Sequence, residues 1–171
     1  TSFNAKGLFM KIVIIAILLL FTLLVAVEQG HAEVALYEAE IDSLAMVKDD
    51  PDALGGQYVM DKREFRPVFR KKISKPNASA KIWVRYRGTA LQLKSINADG
   101  KREEKAWIWD KPTEWQWKTF GPYEPDELGE NFEIIVGKGA EGNAGLDAVV
   151  VSEDEGFDPD SVGDWDSIQK L

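Results

Sequence analysis

The stretch Lys81-Ile82-Trp83-Val84-Arg85-Tyr86-Arg87 decides the fold of this chain, because its apolar side chains recur at every second position. Ile82, Val84 and Tyr86 fall on one face of the segment when the backbone is extended. The opposite face carries a tryptophan and two arginines. A period of two is typical of a β-strand that turns one face to a hydrophobic core.

Similar short segments follow one another along the chain and are separated by turn residues, as at Gly55-Gly56 and Asn97-Ala98-Asp99-Gly100. No strong amphipathic helix is predicted after residue 33. Eight or nine short strands in about 120 residues indicate an all-β fold, an antiparallel β-sandwich or jelly roll. The predicted strands are Ala35–Glu40, Gln57–Met60, Phe65–Ile73, Lys81–Arg87, Thr89–Ile96, Lys105–Trp109, Trp115–Phe120, Phe132–Val136 and Leu146–Ser152.

The N-terminal part differs from the rest. Ile12–Val27 is an apolar run of about 16 residues in which Thr22 is the one polar side chain, whereas a membrane-spanning helix needs about 20. Lys11 precedes the run, and Gly30-His31-Ala32 follows it, which is the layout of a signal peptide. Residues 1–32 are therefore expected to be a hydrophobic signal helix or an uncleaved membrane anchor, with residues 1–9 upstream of a translation start at Met10.

The rest of the chain is expected to lie outside the cytoplasm, so the protein would be secreted, periplasmic or on the cell surface. It would contact the membrane only through the N-terminal segment, if that segment is not cleaved. Residues 33–158 hold all the predicted strands and are expected to form the sandwich domain. Residues 159–171 carry Asp160, Asp164 and Asp166 and few apolar side chains, so they are expected to be an acidic tail.

Charge and composition exclude several classes of function. The 171 residues have a formal net charge of -8, and clustered lysine and arginine would be needed to bind nucleic acid. There is no cysteine, and the one histidine is His31, so thiol chemistry, serine triads and histidine zinc sites are not expected in the exported part. No catalytic motif is present. The chain is therefore predicted to be non-enzymatic.

Three segments, taken in order, carry a resemblance to a known group of domains. They are Tyr37-Glu38-Ala39-Glu40, Gly55-Gly56-Gln57-Tyr58-Val59 and Gly145-Leu146-Asp147-Ala148-Val149-Val150-Val151. Together they resemble the galactose-binding-like jelly rolls, which include the carbohydrate-binding modules of families six and thirty-five, over roughly Val34 to Pro159. The resemblance implies a non-catalytic domain that binds a glycan or an extracellular polysaccharide.

The same resemblance implies a structural calcium ion held by Glu38, Glu40 and Asp147 together with backbone carbonyls. Calcium takes six to eight oxygen ligands, and carboxylates are its usual anchors. Glu38 and Glu40 are two positions apart, so on one strand they would share a face and repel each other unless a cation lay between them. Two other interpretations stay open: both glutamates are solvated, or Asp147 caps a turn after Gly145.

Aromatic side chains supply candidates for the sugar site. Two tryptophan pairs at strand spacing would form a cluster of four indoles if their strands paired, and an exposed cluster could stack on a sugar ring. Equally, such tryptophans could belong to the core. Family ligands usually contact loops at one end of the sandwich, here Asp110–Glu114 and Gly137–Ala144. The candidate sugar-binding residues are Trp107, Trp109, Trp115, Trp117 and Tyr123, with hydrogen bonds from Asp110, Glu114 and Arg102.

The alternative function is that of a structural or adhesive surface protein, anchored in the membrane and without a sugar site. Burial of all four indoles would favour this alternative, and an open aromatic face would favour sugar binding. A fold alone cannot decide between them, because one sandwich architecture serves many functions.

Overall fold

The computed structural model describes residues 33–41, 43–63, 65–72, 76–128, 131–137 and 144–170. The predicted signal or anchor helix, residues 1–32, lies outside the described residues. Among those that are described, no helix is long and apolar enough to span a membrane. Residues from Glu33 onward form one compact unit.

The described residues form eleven β-strands and three short 3-10 turns. The turns are Leu54–Gly56, Pro159–Ser161 and Trp165–Ser167. The strands are β1 (Val34–Glu38), β2 (Met46–Asp49), β3 (Gln57–Met60), β4 (Arg66–Lys72), β5 (Ala80–Arg87), β6 (Leu91–Ile96), β7 (Arg102–Ile108), β8 (Gln116–Tyr123), β9 (Asn131–Val136), β10 (Gly145–Ser152) and β11 (Gln169–Lys170).

Two sheets are built from these strands. In the first sheet, β10 lies between β1 and β5, and β5 also pairs with β8. The β2–β3 hairpin joins at the start of β10, and β11 runs parallel to β1 at its outer edge. The second sheet has the strand order β4-β9-β6-β7 and is antiparallel throughout.

The main hydrophobic core lies between the two sheets. Ile82, Val84 and Tyr86 are fully buried, as their spacing predicts, and they belong to one cluster with Leu93 and Phe132 of the second sheet. Burying side chains of this size stabilises the fold by about 1.5–3 kcal/mol each. The prediction of an all-β sandwich made of antiparallel sheets is confirmed.

A second apolar layer covers the outer face of the first sheet. Leu36, Ala148 and Val150 are buried there, and the C-terminal residues Phe157, Trp165 and Ile168 pack against this cluster. The indole of Trp165 stacks on that of Trp117 with ring centroids 5.1 Å apart. All eight residues of β10 are consequently buried, which explains its run of valines.

Residues 159–171, expected from the sequence to be a solvated acidic tail, are therefore divided in their contacts. Trp165 and Ile168 pack on the sheet, while Asp160, Asp164 and Asp166 are exposed. Each of the two 3-10 turns in this segment is capped by an aspartate: the amides of Asp160 and Asp166 donate to the carboxylates of Asp158 and Asp164, at 3.0 Å in both cases. The two short turns space the apolar side chains so that they reach the sheet.

Candidate functional site

The exposed Phe65 and Trp109 and the half-buried Trp107 form an aromatic surface, called the aromatic face below. The indoles of Trp107 and Trp109 stack nearly in parallel, with centroids 4.5 Å apart and ring planes 12° apart. Phe65 meets Trp107 edge to face at 6.3 Å. Trp109 is 67% exposed and Phe65 is 55% exposed. A stacked indole pair that faces solvent offers a flat apolar surface to a ligand.

Several contacts hold Trp107 in place. Its Nε1 atom donates to Oε1 of Glu104 at 3.0 Å. The other oxygen of that carboxylate accepts from the side-chain amide of Gln92, which is buried on β6. The indole also lies over Gly137, where a Cβ atom would come within 3.0 Å of the ring. Trp107 is thus a fixed support on which the more exposed Trp109 rests.

Phe65 has a backbone conformation that bulky residues rarely adopt. Its φ angle is +58°, in the left-handed region, and its amide donates to the carbonyl of Val136 at 3.0 Å. A non-glycine residue in this region costs about 1–2 kcal/mol. The sequence predicts an ordinary strand start at Phe65, whereas β4 begins at Arg66. Backbone strain of this kind tends to gather at functional sites.

The other aromatic candidates pack against other side chains of the protein. β7 belongs to the second sheet and β8 to the first, so the expected cluster of four indoles does not form. Trp117 lies beneath Trp165. Trp115 packs on Tyr58 at 5.3 Å, and Tyr123 packs partly buried against the main core.

Of the three polar side chains suggested as sugar contacts, Arg102 and Asp110 have protein partners, whereas Glu114 is exposed. Arg102 donates to Glu133 at 2.9 Å. Asp110 accepts from the hydroxyl of Tyr86 at 3.0 Å and faces Lys118 at 3.3 Å. Burial, followed by the hydrogen bond and charge of Asp110, raises the pKa of Tyr86. Within the described residues, Gln92 and Glu104 are the polar groups tied to the aromatic face, and no local sequence pattern indicates either of them.

The three acidic residues of the resemblance come together near a glycine turn. The amide of Ala39, between Glu38 and Glu40, donates to the carbonyl of Asp147 at 3.0 Å. A Cβ atom placed on Gly55 would lie 3.3 Å from Oε1 of Glu40 and 3.6 Å from Oε1 of Glu38. The strand ends at Glu38, so the two glutamates converge through the following turn and not along one strand face. We call Glu38, Glu40 and Asp147 the carboxylate corner.

Asp147 is the buried member of the carboxylate corner. Its Oδ2 atom accepts from the amide of Leu54 at 3.1 Å and from the guanidinium of Arg85. Its Oδ1 atom is buried and receives no hydrogen bond from the described residues. Burial raises the pKa of Asp147 to about 6, against the lowering effect of Leu54 and Arg85, and the charge of Glu40 raises it further.

The oxygen atoms of the carboxylate corner suit a hard cation such as calcium. All are carboxylate oxygens, and Oδ1 of Asp147 is a buried acceptor that still needs a partner. In the described part of the chain, however, no three acidic or histidine side chains are already gathered as ligands of one ion. The cation beside Asp147 in this structure is the guanidinium of Arg85.

Comparison of the chain with protein-family models, with curated proteins and with solved structures finds no match. The aromatic face and the carboxylate corner are therefore the two features on which a function can be proposed.

Proposed function

We propose that the chain is an exported, non-catalytic carbohydrate-binding domain of the galactose-binding-like jelly-roll type. It binds a glycan or an extracellular polysaccharide at the aromatic face. The observation that carries this proposal is the solvent-exposed Trp109, stacked on the half-buried Trp107 beside the strained and exposed Phe65. The fold needs no such pair for its core, which lies between the sheets.

The chemistry of the aromatic face suits a sugar. One side of a pyranose ring is lined by C–H groups, which stack on the electron-rich face of an indole much as other rings do. Rigid aromatic side chains lose little conformational entropy when a ligand binds. The carboxylate of Glu104 already accepts from Trp107 and Gln92, and its remaining lone pairs can accept from sugar hydroxyls.

The carboxylate corner is proposed to hold a structural calcium ion, with Glu38, Glu40 and Asp147 as its protein carboxylates. The ion would offset the like charges that meet beside Gly55, and backbone carbonyls and water would complete its six to eight oxygen ligands. Calcium bound there would join the end of β1 to β10 and to the turn at Leu54–Gly56. The ion would therefore stabilise the folded protein.

Replacing Trp109 by alanine is expected to weaken binding of the cognate glycan by about tenfold to a hundredfold, since stacking on an aromatic side chain contributes about 1–3 kcal/mol. Affinity electrophoresis in gels that contain single polysaccharides, followed by titration calorimetry, measures this loss. Ile41→Ala is the matched control, because Ile41 is also an exposed apolar residue, 66% accessible, and lies outside the aromatic face. Equal affinity of the Trp109→Ala variant and the native protein would rule out the aromatic face as the site.

Phe65→Gly separates binding from stability. Glycine adopts a positive φ without strain, so the melting temperature is expected to stay unchanged or to rise. Glycan affinity is expected to fall, because one aromatic wall is lost. A thermal melt and a glycan titration on the same preparation test both parts. A lower melting temperature with native affinity would mean that Phe65 is there for packing alone.

Calcium is expected to raise the melting temperature of the protein relative to the same protein in chelator. An ion that binds only the folded state adds about 2.7 kcal/mol at a concentration of one hundred times its dissociation constant. Glu40→Gln should reduce the gain, since one anchor loses its charge. Identical melting curves in calcium and in chelator would exclude the structural ion and leave the glycan site untouched.

A second candidate, a structural or adhesive surface protein, is favoured by a different observation. The edge strand β2 is exposed along its whole length, with Met46 and Val47 each about half accessible. Edge strands of this kind can pair with other chains. Failure to bind any polysaccharide, together with self-association in solution, would place this candidate first.

A further inference from the structure

We infer that Arg85 is a built-in competitor of calcium at the carboxylate corner, which stabilises the metal-free protein and weakens its affinity for the ion. This inference rests on the calcium site proposed above. It goes beyond that site because it assigns the control of calcium affinity to a residue that is not a ligand.

The position of Arg85 is fixed from several directions. It lies on β5, directly beside β10, where it is paired in register with Ala148. Its Nη1 atom donates to Oδ2 of Asp147. Both Nη1 and Nη2 also donate to the carbonyl of Asp52, each at 3.1 Å, and the guanidinium lies 5.6 Å from the centre of the Trp115 ring. With its side chain 19% exposed, Arg85 is an integral part of the corner.

The electrostatics of the corner require a cation whenever Asp147 is ionised. Asp147 is buried, and a buried carboxylate without a compensating charge costs several kcal/mol. Arg85 provides the compensating charge in this structure. A calcium ion bound to the same carboxylate would repel the guanidinium, because like charges a few ångströms apart repel strongly where water is excluded. The two cations therefore compete for Asp147.

The structure also shows which contacts Arg85 could keep once it no longer pairs with Asp147. Its two hydrogen bonds to the carbonyl of Asp52 do not depend on Asp147. Arg85 could keep these bonds and its contact with Trp115 while Asp147 turns to the ion. Leu54 and Gly55, which border the corner, follow Asp52 by two and three residues, so the ion and Arg85 act on the same loop. The expected result is a weakened site, in keeping with the dissociation constants of about 10⁻⁴–10⁻³ M that suit extracellular calcium modules.

The test compares calcium binding by the whole protein in three forms: native, Arg85→Met and Arg85→Lys. Methionine keeps the length of the side chain without its charge, and lysine keeps the charge without the forked donors. Calorimetric titration with calcium gives the dissociation constant. Luminescence of terbium, excited through Trp115, reports ion binding independently. Melting curves in chelator and in calcium complete the set.

Arg85→Met is expected to melt lower than the native protein in chelator, to regain most of that loss in calcium, and to bind calcium about tenfold or more tightly. Arg87→Met is the matched control. Arg87 lies on the same strand and packs even closer to Trp115, at 4.3 Å, but it pairs with Asp50 instead of Asp147. It should lose stability in both conditions without any gain in calcium affinity.

The outcomes separate this inference from the proposed site. Equal dissociation constants for the native protein and Arg85→Met would overturn the role of Arg85 and leave the calcium site standing. No calcium binding by any form would overturn both. If Arg85→Met folds only in calcium, the inference is supported. If it folds in neither condition, Arg85→Gln decides, because glutamine also removes the charge and the inference requires Arg85→Gln to bind calcium more tightly than the native protein, whereas Arg85→Lys keeps the charge and should stay near the native affinity.

Discussion

Gly145→Ala is expected to lower the free energy of unfolding by about 3 kcal/mol or more, the upper range for overpacking a core. A Cβ atom at this position would lie 2.6 Å from the carbonyl oxygen of Val59 and 2.7 Å from a ring carbon of Tyr58. One of these neighbours is backbone of the adjoining strand, which cannot rotate away. The start of β10 would have to separate from β3, and Asp147 lies two residues further on.

Urea unfolding measures the effect of Gly145→Ala. Gly163→Ala is the control, because a Cβ atom at position 163 meets no other atom within 4 Å and the expected change is within about 0.5 kcal/mol. A domain of this kind is stabilised by only about 5–15 kcal/mol, so the Gly145 variant should unfold at a much lower urea concentration. Matching unfolding curves for the two variants would show that β3 and β10 do not approach each other as closely as described.

The double variant Arg70→Met with Arg102→Met is expected to lose about 3 kcal/mol near neutral pH, the cost of leaving a buried carboxylate without its partners. Glu133 is 1% exposed. Arg70 donates to it from Nε at 2.6 Å, and Arg102 does so at 2.9 Å. The arginine side chains are about half exposed, so methionine at both positions keeps the aliphatic cover and removes the charge.

The pH dependence of stability should invert in this double variant. In the native protein, burial raises the pKa of Glu133, but the hydrogen bonds and charges of Arg102 and Arg70 outweigh burial and the net pKa is lowered from 4.5. A lowered pKa in the folded state stabilises the protein above 4.5, and this stability is lost as the pH falls through the folded pKa. Without the arginines, burial alone raises the pKa, so stability should fall as the pH rises.

Chemical unfolding across the acidic to neutral range tests this inversion. Adding Glu133→Gln to the double variant is the control: it should restore most of the stability near neutral pH and flatten the profile. A double variant whose stability changes with pH as the native protein's does would mean that Glu133 does not depend on the two arginines.

Most of the fold can be predicted from local patterns. The alternation in residues 81–87 identifies β5 and its buried face, and the run Val149–Val151 indicates a strand buried on both sides, as β10 is. The period of two is a local property of the chain, and burial of one face enforces it. Turn residues such as Asn97-Ala98-Asp99-Gly100 mark the hairpin between β6 and β7 equally well.

Other features depend on contacts between residues that are distant in sequence, and local sequence patterns cannot predict such contacts. Trp117 and Trp165 are far apart in sequence, so their stacking cannot be seen in either segment alone. Pairing of the two tryptophan strands was a reasonable expectation, since neighbouring strands often pair, but β8 joins the other sheet instead. The guanidinium that compensates Asp147 comes from Arg85, whose alternation in β5 indicates only an outward side chain.

The carboxylate corner and the aromatic face differ in how much the sequence reveals. The resemblance names Glu38, Glu40 and Asp147, and the structure brings them to one turn, although an ion there remains a proposal. For the aromatic face, the spacing of Trp107 and Trp109 suggests a shared strand face. Phe65 carries no local signal of its positive φ, which accompanies a hydrogen bond from its amide to the distant Val136 of β9.

Sugar binding at the aromatic face is tested most directly by the indole N–H signals of the six tryptophans in a ¹⁵N-labelled sample, followed by NMR as each of a panel of soluble glycans is added. Binding at the proposed site should shift the signals of Trp107 and Trp109 in a saturable way and leave those of Trp83, Trp117 and Trp165 in place. Saturable shifts at Trp117 and Trp165 alone, or none with any glycan of the panel, would contradict a carbohydrate site at Phe65, Trp107 and Trp109.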